Sequence, residues 1–265
     1  MVPVIQSRRI PGVRIGFRVL LALVVTVLVA VGCSSGDGRP AAQGPPPTAL
    51  PSAPPTPPTP ARPPTPSPTV VATAQVPSVA VFDAPDGPAA STSFANPNEW
   101  DLPLVFRVEA VLPDWVKVML SARPNGSTGW VRASDVSISE NDWRMQVELG
   151  SRRLTVWKGA DVVREETVAI GKADAPSPTG DYYLTAMIPT GNDAGPYGPW
   201  AIGVSAFSDV YTSFAGGPGQ VGLHGTNQPE LLGDDVSNGC IRITNEAITA
   251  LAEQVPPGAP IAIVA

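Results

Sequence analysis

His224 is the only histidine in this chain of 265 residues, and Cys240, sixteen residues further on, is one of two cysteines. A free thiol titrates near pH 8.5, so only a few per cent is thiolate at neutral pH. A nucleophilic cysteine therefore needs a neighbouring base, and His224 is the one imidazole that can serve. Imidazole can take the thiol proton and later return it to a leaving amine. Gly239 sits just before the sulfur; without a side chain it lets the backbone turn sharply and lets a substrate carbonyl approach. Amides at Gly239 and Cys240 could then meet a developing oxyanion, where one donor is worth roughly 3 kcal/mol. The plainer alternative is a buried cysteine acting as a small hydrophobe and a hydrogen-bonded loop histidine. A metal centre is not expected, since one imidazole and one thiol cannot fill a zinc shell, and nothing calls for an organic cofactor.

The elements around this pair read as β structure. "MQVELGSRRLTVWKGADVVREETVAI", from Met145, alternates apolar and polar residues in three bursts with turns at Gly150-Ser151 and Lys158-Gly159, a meander of half-buried antiparallel strands. "SPTGDYYLTAMI" gives a turn and another strand. Residues 189–220 are rich in Gly, Pro and aromatics, which reads as a lid or substrate wall, or else as an irregular surface excursion. "VGLHG" brings a strand up to His224. Thr244 or Asn245 can cap a helix carrying Ile248, Leu251, Ala252 and Val255 at helical spacing, and Pro256-Pro257-Gly258 ends it. "PIAIVA" closes the chain as a buried strand.

"HGTN" and the "SNGCIR" that carries Cys240 together resemble the active-site signature of the L,D-transpeptidase family, and the resemblance runs from about Trp143 to Ala265. It implies a β-sandwich-like catalytic domain with Cys240 as nucleophile and His224 as base. It also implies that the Gly225 carbonyl orients the imidazole, that Ser237, Asn238 and Gly239 form the loop, and that Arg242 lies near the substrate's carboxylate. Many members carry histidine where this chain has Asn238. Arg242 could equally hold the loop by an ion pair. The implied reaction is on peptidoglycan stem peptides. Cys240 takes the donor acyl group as a thioester and a second stem's side-chain amine resolves it, giving a 3→3 cross-link. Carbapenem-type β-lactams are the implied inhibitors. Hydrolysis by the same residues (L,D-carboxypeptidase) and a non-catalytic, wall-binding lipoprotein are the alternatives.

The other end of the chain bears on location. Residues 1–32 read as a signal peptide: Arg8, Arg9, Arg14 and Arg18 precede the thirteen-residue apolar run Val19–Val31, too short for a spanning helix. Small residues Ala30, Val31 and Gly32 before Cys33 resemble a bacterial lipobox, which implies lipidation of Cys33 and a membrane anchor; an ordinary cleavage site is the alternative. Residues 33–69 form a Pro-rich linker, an extended tether of roughly 100 Å. Such a chain is expected outside the cytoplasmic membrane, in the periplasmic or cell-wall space. Of 17 basic and 23 acidic residues, four basic ones lie before Cys33, leaving a net charge near −10 that argues against nucleic acid. Residues 70–140 hold short β-rich runs. "DWVKV" and "GWVRASDV", with a hairpin turn at "RPNGSTG", resemble bacterial Src-homology-3-like domains, a wall-binding module or a spacer, with Trp115 and Trp130 expected to fill a small barrel. The expected fold is mainly β: that β-barrel, then a β-sandwich-like catalytic domain over 143–265 with one short helix.

Overall fold

The structure, a computed structural model, describes residues 67–214 and 216–265. The signal segment, Cys33 and most of the proline-rich linker lie outside the described residues. The amino-terminal part contains seven strands: β1 Thr69–Ala74, β2 Ser78–Val81, β3 Thr92–Ala95, β4 Val105–Val111, β5 Trp115–Met119, β6 Thr128–Arg132 and β7 Val136–Asn141. They form a five-stranded sheet in the order β6-β5-β4-β1-β7 and a separate β2-β3 hairpin. The period-2 pattern of "WVKVM" and "TGWVR" sends Val116, Val118 and Val131 inward, where they are wholly buried with Val79 and Phe106. Trp115 is buried at the margin, edge-on to Phe82 with ring centroids 5.0 Å apart. Trp130 is only half-buried. The expectation that both tryptophans fill this core is therefore corrected. Valine and Phe106 occupy it, since Trp130 falls on the outward phase of β6.

The carboxy-terminal part contains β8 Trp143–Glu148, β9 Arg153–Lys158, β10 Asp161–Thr167, β11 Ile170–Gly171, β12 Gly180–Pro189, β13 Trp200–Phe207, β14 Gln220–His224, β15 Asp235–Ser237, β16 Ile241–Arg242, α1 Asn245–Gln254 and β17 Pro260–Val264. Eight of these strands form one ladder, β10-β9-β8-β17-β12-β13-β14-β16. The ladder curls, so that Leu154 and Val156 of β9 share one core with Ile202 and Val204 of β13, which gives the sandwich-like character. The meander β8-β9-β10 is antiparallel throughout. The final strand, β17, lies between β8 and β12; Ile261 and Ile263 face the core while Ala262 does not.

Two findings refine the sequence reading. Residues 189–220 are not all loop: β13 runs through them, pairing with β12 and β14, and the loops are confined to either side. Glycine and small residues in "WAIGVSAF" mask its strand pattern, yet Ile202, Val204 and Ala206 are fully buried. The helix begins where expected, with the Thr244 hydroxyl accepting from the Ala247 amide at 3.1 Å, a cap worth about 1 kcal/mol. It buries Ala247, Ile248 and Leu251 and packs on β13 and β14.

The amino-terminal sheet is fastened to the carboxy-terminal part. Val71, Val105 and Met119 share a small core with Tyr183 of β12. A Cβ at Gly258 would come within 2.5 Å of Val71, so a glycine at φ +88° both turns the chain after the helix and lets the two parts meet. At the β5–β6 hairpin, Asn125 donates to Phe207 O and accepts from Phe207 N, both at 2.8 Å. Arg123 donates to the carbonyls of Ser208 (2.7 Å), Tyr211 (2.8 Å) and Pro218 (3.2 Å).

Candidate active site

His224 ends β14 and Cys240 precedes β16, and these two strands run parallel with Leu223 opposite Ile241 and His224 opposite Arg242. This register sets Cys240 beside Gly222, whose amide donates to Sγ at 3.4 Å. His224 and Cys240 line one cleft of about 530 Å³, together with Tyr197, Gly203, Phe214 and Gly222 among others. The fifteen intervening residues make the excursion out of the sheet and back.

His224 Nδ1 lies 2.6 Å from Gly225 O. A carbonyl can only accept, so Nδ1 carries the proton and Nε2 is left as the basic nitrogen. The edge of Tyr197 packs against the imidazole with ring centroids 4.7 Å apart. The turn after the histidine is clamped by Asn245 at the start of α1, whose Oδ1 accepts from Thr226 N at 2.8 Å. A Cβ on Gly225 would meet that oxygen at 2.3 Å and Gly198 Cα at 3.1 Å, so a side chain there would have to push Asn245 off the Thr226 amide.

The cysteine turn is held from two sides. Ser237 Oγ donates to Cys240 O at 2.5 Å and accepts from Gly239 N at 3.1 Å. Ser177, buried just before β12, donates to Gly239 O at 2.9 Å and accepts from Gly171 N at 3.0 Å. Gly239 has φ +113°, a conformation that disfavours any side chain. Asn238 is half-buried in the same turn. The Gly239 amide, read from the sequence as an oxyanion donor, is already bonded to Ser237, which leaves the Cys240 amide as the other candidate named from the sequence.

The electrostatics keep the pair neutral at rest. Burial pushes the His224 imidazole down to about 4; the Gly225 hydrogen bond opposes this shift and the positive charge of Arg242 adds to it. Burial raises the Cys240 thiol, an effect partly offset by the Gly222 amide and by Arg242. Tyr197 is raised by burial and by negative charge at Cys240, with Arg242 opposing. Arg242 thus favours negative charge at sulfur and disfavours positive charge on the imidazole. Its Nε is buried without a partner, so it forms no loop-holding ion pair through that atom.

Residues 142–263 match the YkuD family model, described as the L,D-transpeptidase catalytic domain. Against the YkuD protein of Bacillus subtilis the chain is 31% identical over 121 residues, covering 46% of this chain and 65% of that one. Against the YkuD protein of Bacillus licheniformis it is 29% identical over 154 residues, covering 56% of this chain and 85% of that one. The carboxy-terminal part is thus similar in sequence to L,D-transpeptidase catalytic domains. Among solved structures, the L,D-transpeptidase from Mycobacterium smegmatis aligns at 17% identity and TM-score 0.40, over 62% of this chain and 90% of that one; the assignment rests on the sequence match.

Within the matched domain the structure brings His224, Gly225, Ser237, Asn238, Gly239, Cys240 and Arg242 together around the β14–β16 pair. Sequence reasoning missed Tyr197, Ser177, Gly222 and Asn245. Ser177 stands in the quoted "SPTG" turn without being singled out, and Tyr197 lies among the aromatics of 189–220. Gly222 contributes a backbone amide, for which no side-chain signal exists. Among the described residues no cluster of three or more His, Cys, Asp or Glu could hold a metal ion.

Proposed function

We propose that this protein is a peptidoglycan L,D-transpeptidase that works through a Cys240 thioester and forms 3→3 cross-links. One observation carries the reading: within the matched domain, the single imidazole and the single described thiol open into the same cleft from neighbouring strands. His224 Nε2 takes the thiol proton as Sγ attacks the carbonyl carbon of the donor's third residue. The Cys240 amide receives the developing oxyanion. The imidazolium gives its proton to the terminal D-alanine amine, the C–N bond breaks and a thioester remains. A side-chain amine of a second stem then attacks, yielding a proton through His224 to Sγ as the C–S bond breaks. One amide is exchanged for another, so no nucleotide or metal is required. Arg242, with a buried unpaired Nε beside the pair, stabilises the thiolate and an anionic group of the donor. The amino-terminal signal segment and Cys33 support a lipid-anchored location facing the wall, with the proline-rich tether giving reach.

The test is acylation. Incubation with a carbapenem should give a covalent mass adduct on the wild type and none on Cys240→Ser; an unmodified wild type would overturn the reading in favour of a scaffold. A disaccharide-tetrapeptide should then yield cross-linked dimer, and release of tripeptide alone would replace transfer by hydrolysis.

A further inference from the structure

The cleft that holds Cys240 is not built by the carboxy-terminal domain alone. Glu99 and Trp100, from the turn joining β3 and β4 in the amino-terminal sheet, line its mouth. Glu99 is the only carboxylate among the lining residues, and it makes no ion pair or side-chain hydrogen bond among the described residues. Trp100 is 52% exposed, a large apolar surface left in water at a cleft edge. Both are presented by a stiff turn: Asn98 Oδ1 accepts from Trp100 N at 3.0 Å and from Leu102 N at 3.2 Å. The Asn98 amide bonds Leu102 O, and Asp101 N bonds Asn98 O. Opposite stand Phe214, Gly217 and Pro218, on the loop whose Pro218 carbonyl is gripped by Arg123. The amino-terminal sheet therefore supplies one wall of the mouth and fastens the other.

A free carboxylate beside an exposed indole is the chemistry that receives a primary ammonium group. The carboxylate attracts it, and the negative face of the ring holds the cation and its methylene stem. A carboxylate-bearing donor end would be repelled there and drawn instead towards Arg242. We propose that Glu99 and Trp100 form the subsite that binds the acceptor's aliphatic side-chain ammonium and delivers it to the thioester on Cys240. This rests on the transpeptidase reading and deepens it, giving the amino-terminal sheet a place in acceptor choice. The bound ammonium sheds one proton to solvent. The neutral amine then forms the N–C bond as the C–S bond breaks, and its second proton returns to sulfur.

The experiment measures cross-linked product against acceptor-peptide concentration with the full-length protein, with carbapenem acylation followed in parallel on every variant. Glu99→Gln should raise the acceptor KM about three-fold at low salt, converging on wild type at high salt, as an exposed charge contact does. Trp100→Ala should raise it about five-fold with little dependence on salt. Asp101→Asn, exposed but outside the cleft lining, should behave as wild type. Capture of the thioester by hydroxylamine, a neutral nucleophile, should not respond to Glu99→Gln. An acyl-enzyme whose acceptor KM ignores both cleft substitutions overturns the subsite alone, as does an equal loss towards hydroxylamine. A wild type that forms no acyl-enzyme overturns the transpeptidase reading and the subsite with it.

Discussion

Replacing His224 by glutamine should flatten the dependence of stability on pH in the mildly acidic range. The imidazole titrates at about 4 in the folded protein against 6.5 as its ordinary value, chiefly because it is buried, with 4% of its surface exposed. A base whose folded pKa is depressed binds fewer protons folded than unfolded between those two values. Its contribution to stability is therefore fully present above about 6.5 and is lost as pH falls towards 4. Between pH 7.5 and pH 4.5 the linkage relation gives a loss on the order of 2–3 kcal/mol for this one group. Carboxylates titrate over the same range, but they do so in wild type and variant alike, so the difference between the two proteins isolates the imidazole.

The assay is urea unfolding followed by tryptophan fluorescence at pH 7.5, 6.0 and 4.5, with extrapolation to water. His224→Gln is expected to be less stable than wild type at pH 7.5, since it loses the hydrogen bond to Gly225 O. The gap should close or reverse by pH 4.5. Parallel pH profiles for the two proteins would refute the reasoning, because they would mean that the imidazole in the folded state titrates much as it does in the unfolded chain.

Further outcomes follow from the same geometry. Alkylation of Cys240 by iodoacetamide at pH 7.5 should be slower than that of a free cysteine, because burial raises the thiol; a faster reaction would indicate a preformed thiolate. Arg123→Ala removes three carbonyl contacts to the loop over 208–219. It should speed protease cleavage in that loop and cost about 1–2 kcal/mol in urea unfolding; unchanged cleavage would mean the loop is held by other contacts.

Much of this arrangement was legible in the sequence where one residue type or one period dominates. The alternation in β8, β9 and β10 is plain because each strand has one buried face, and the capped helix is marked by Thr244 and the following Pro-Pro-Gly. The site pair was legible because the chain has one imidazole to offer. β13 was hidden for a physical reason: its outward positions include Gly203 and its flanks are Gly- and Pro-rich, so composition spoke for loop while burial of Ile202, Val204 and Ala206 decided for strand. Ser177 and Asn125 were out of reach for another. Each acts on a residue 62 or 82 positions away, and a lone polar side chain in a turn carries no mark of such a partner.

A neutral resting pair alters what His224 is asked to do. An imidazole that titrates at about 4 is a weak base, so a freestanding ion pair with the buried thiol would be costly, and Arg242 makes the imidazolium costlier still. The same property makes the imidazolium, once formed, a strong acid towards the nitrogen of a collapsing tetrahedral adduct. In the proposed reaction, proton removal and attack would then be coupled: the sulfur would ionise as its electrons move to the carbonyl, while Arg242 and the Gly222 amide favour the negative charge. A thiol kept in this way is spared from alkylation and oxidation between turnovers. In the proposed reaction it would react only when a carbonyl occupies the position at which the Cys240 amide can meet the oxyanion. On that reading, the burial that weakens both members of the pair would serve as selection for a bound acyl donor.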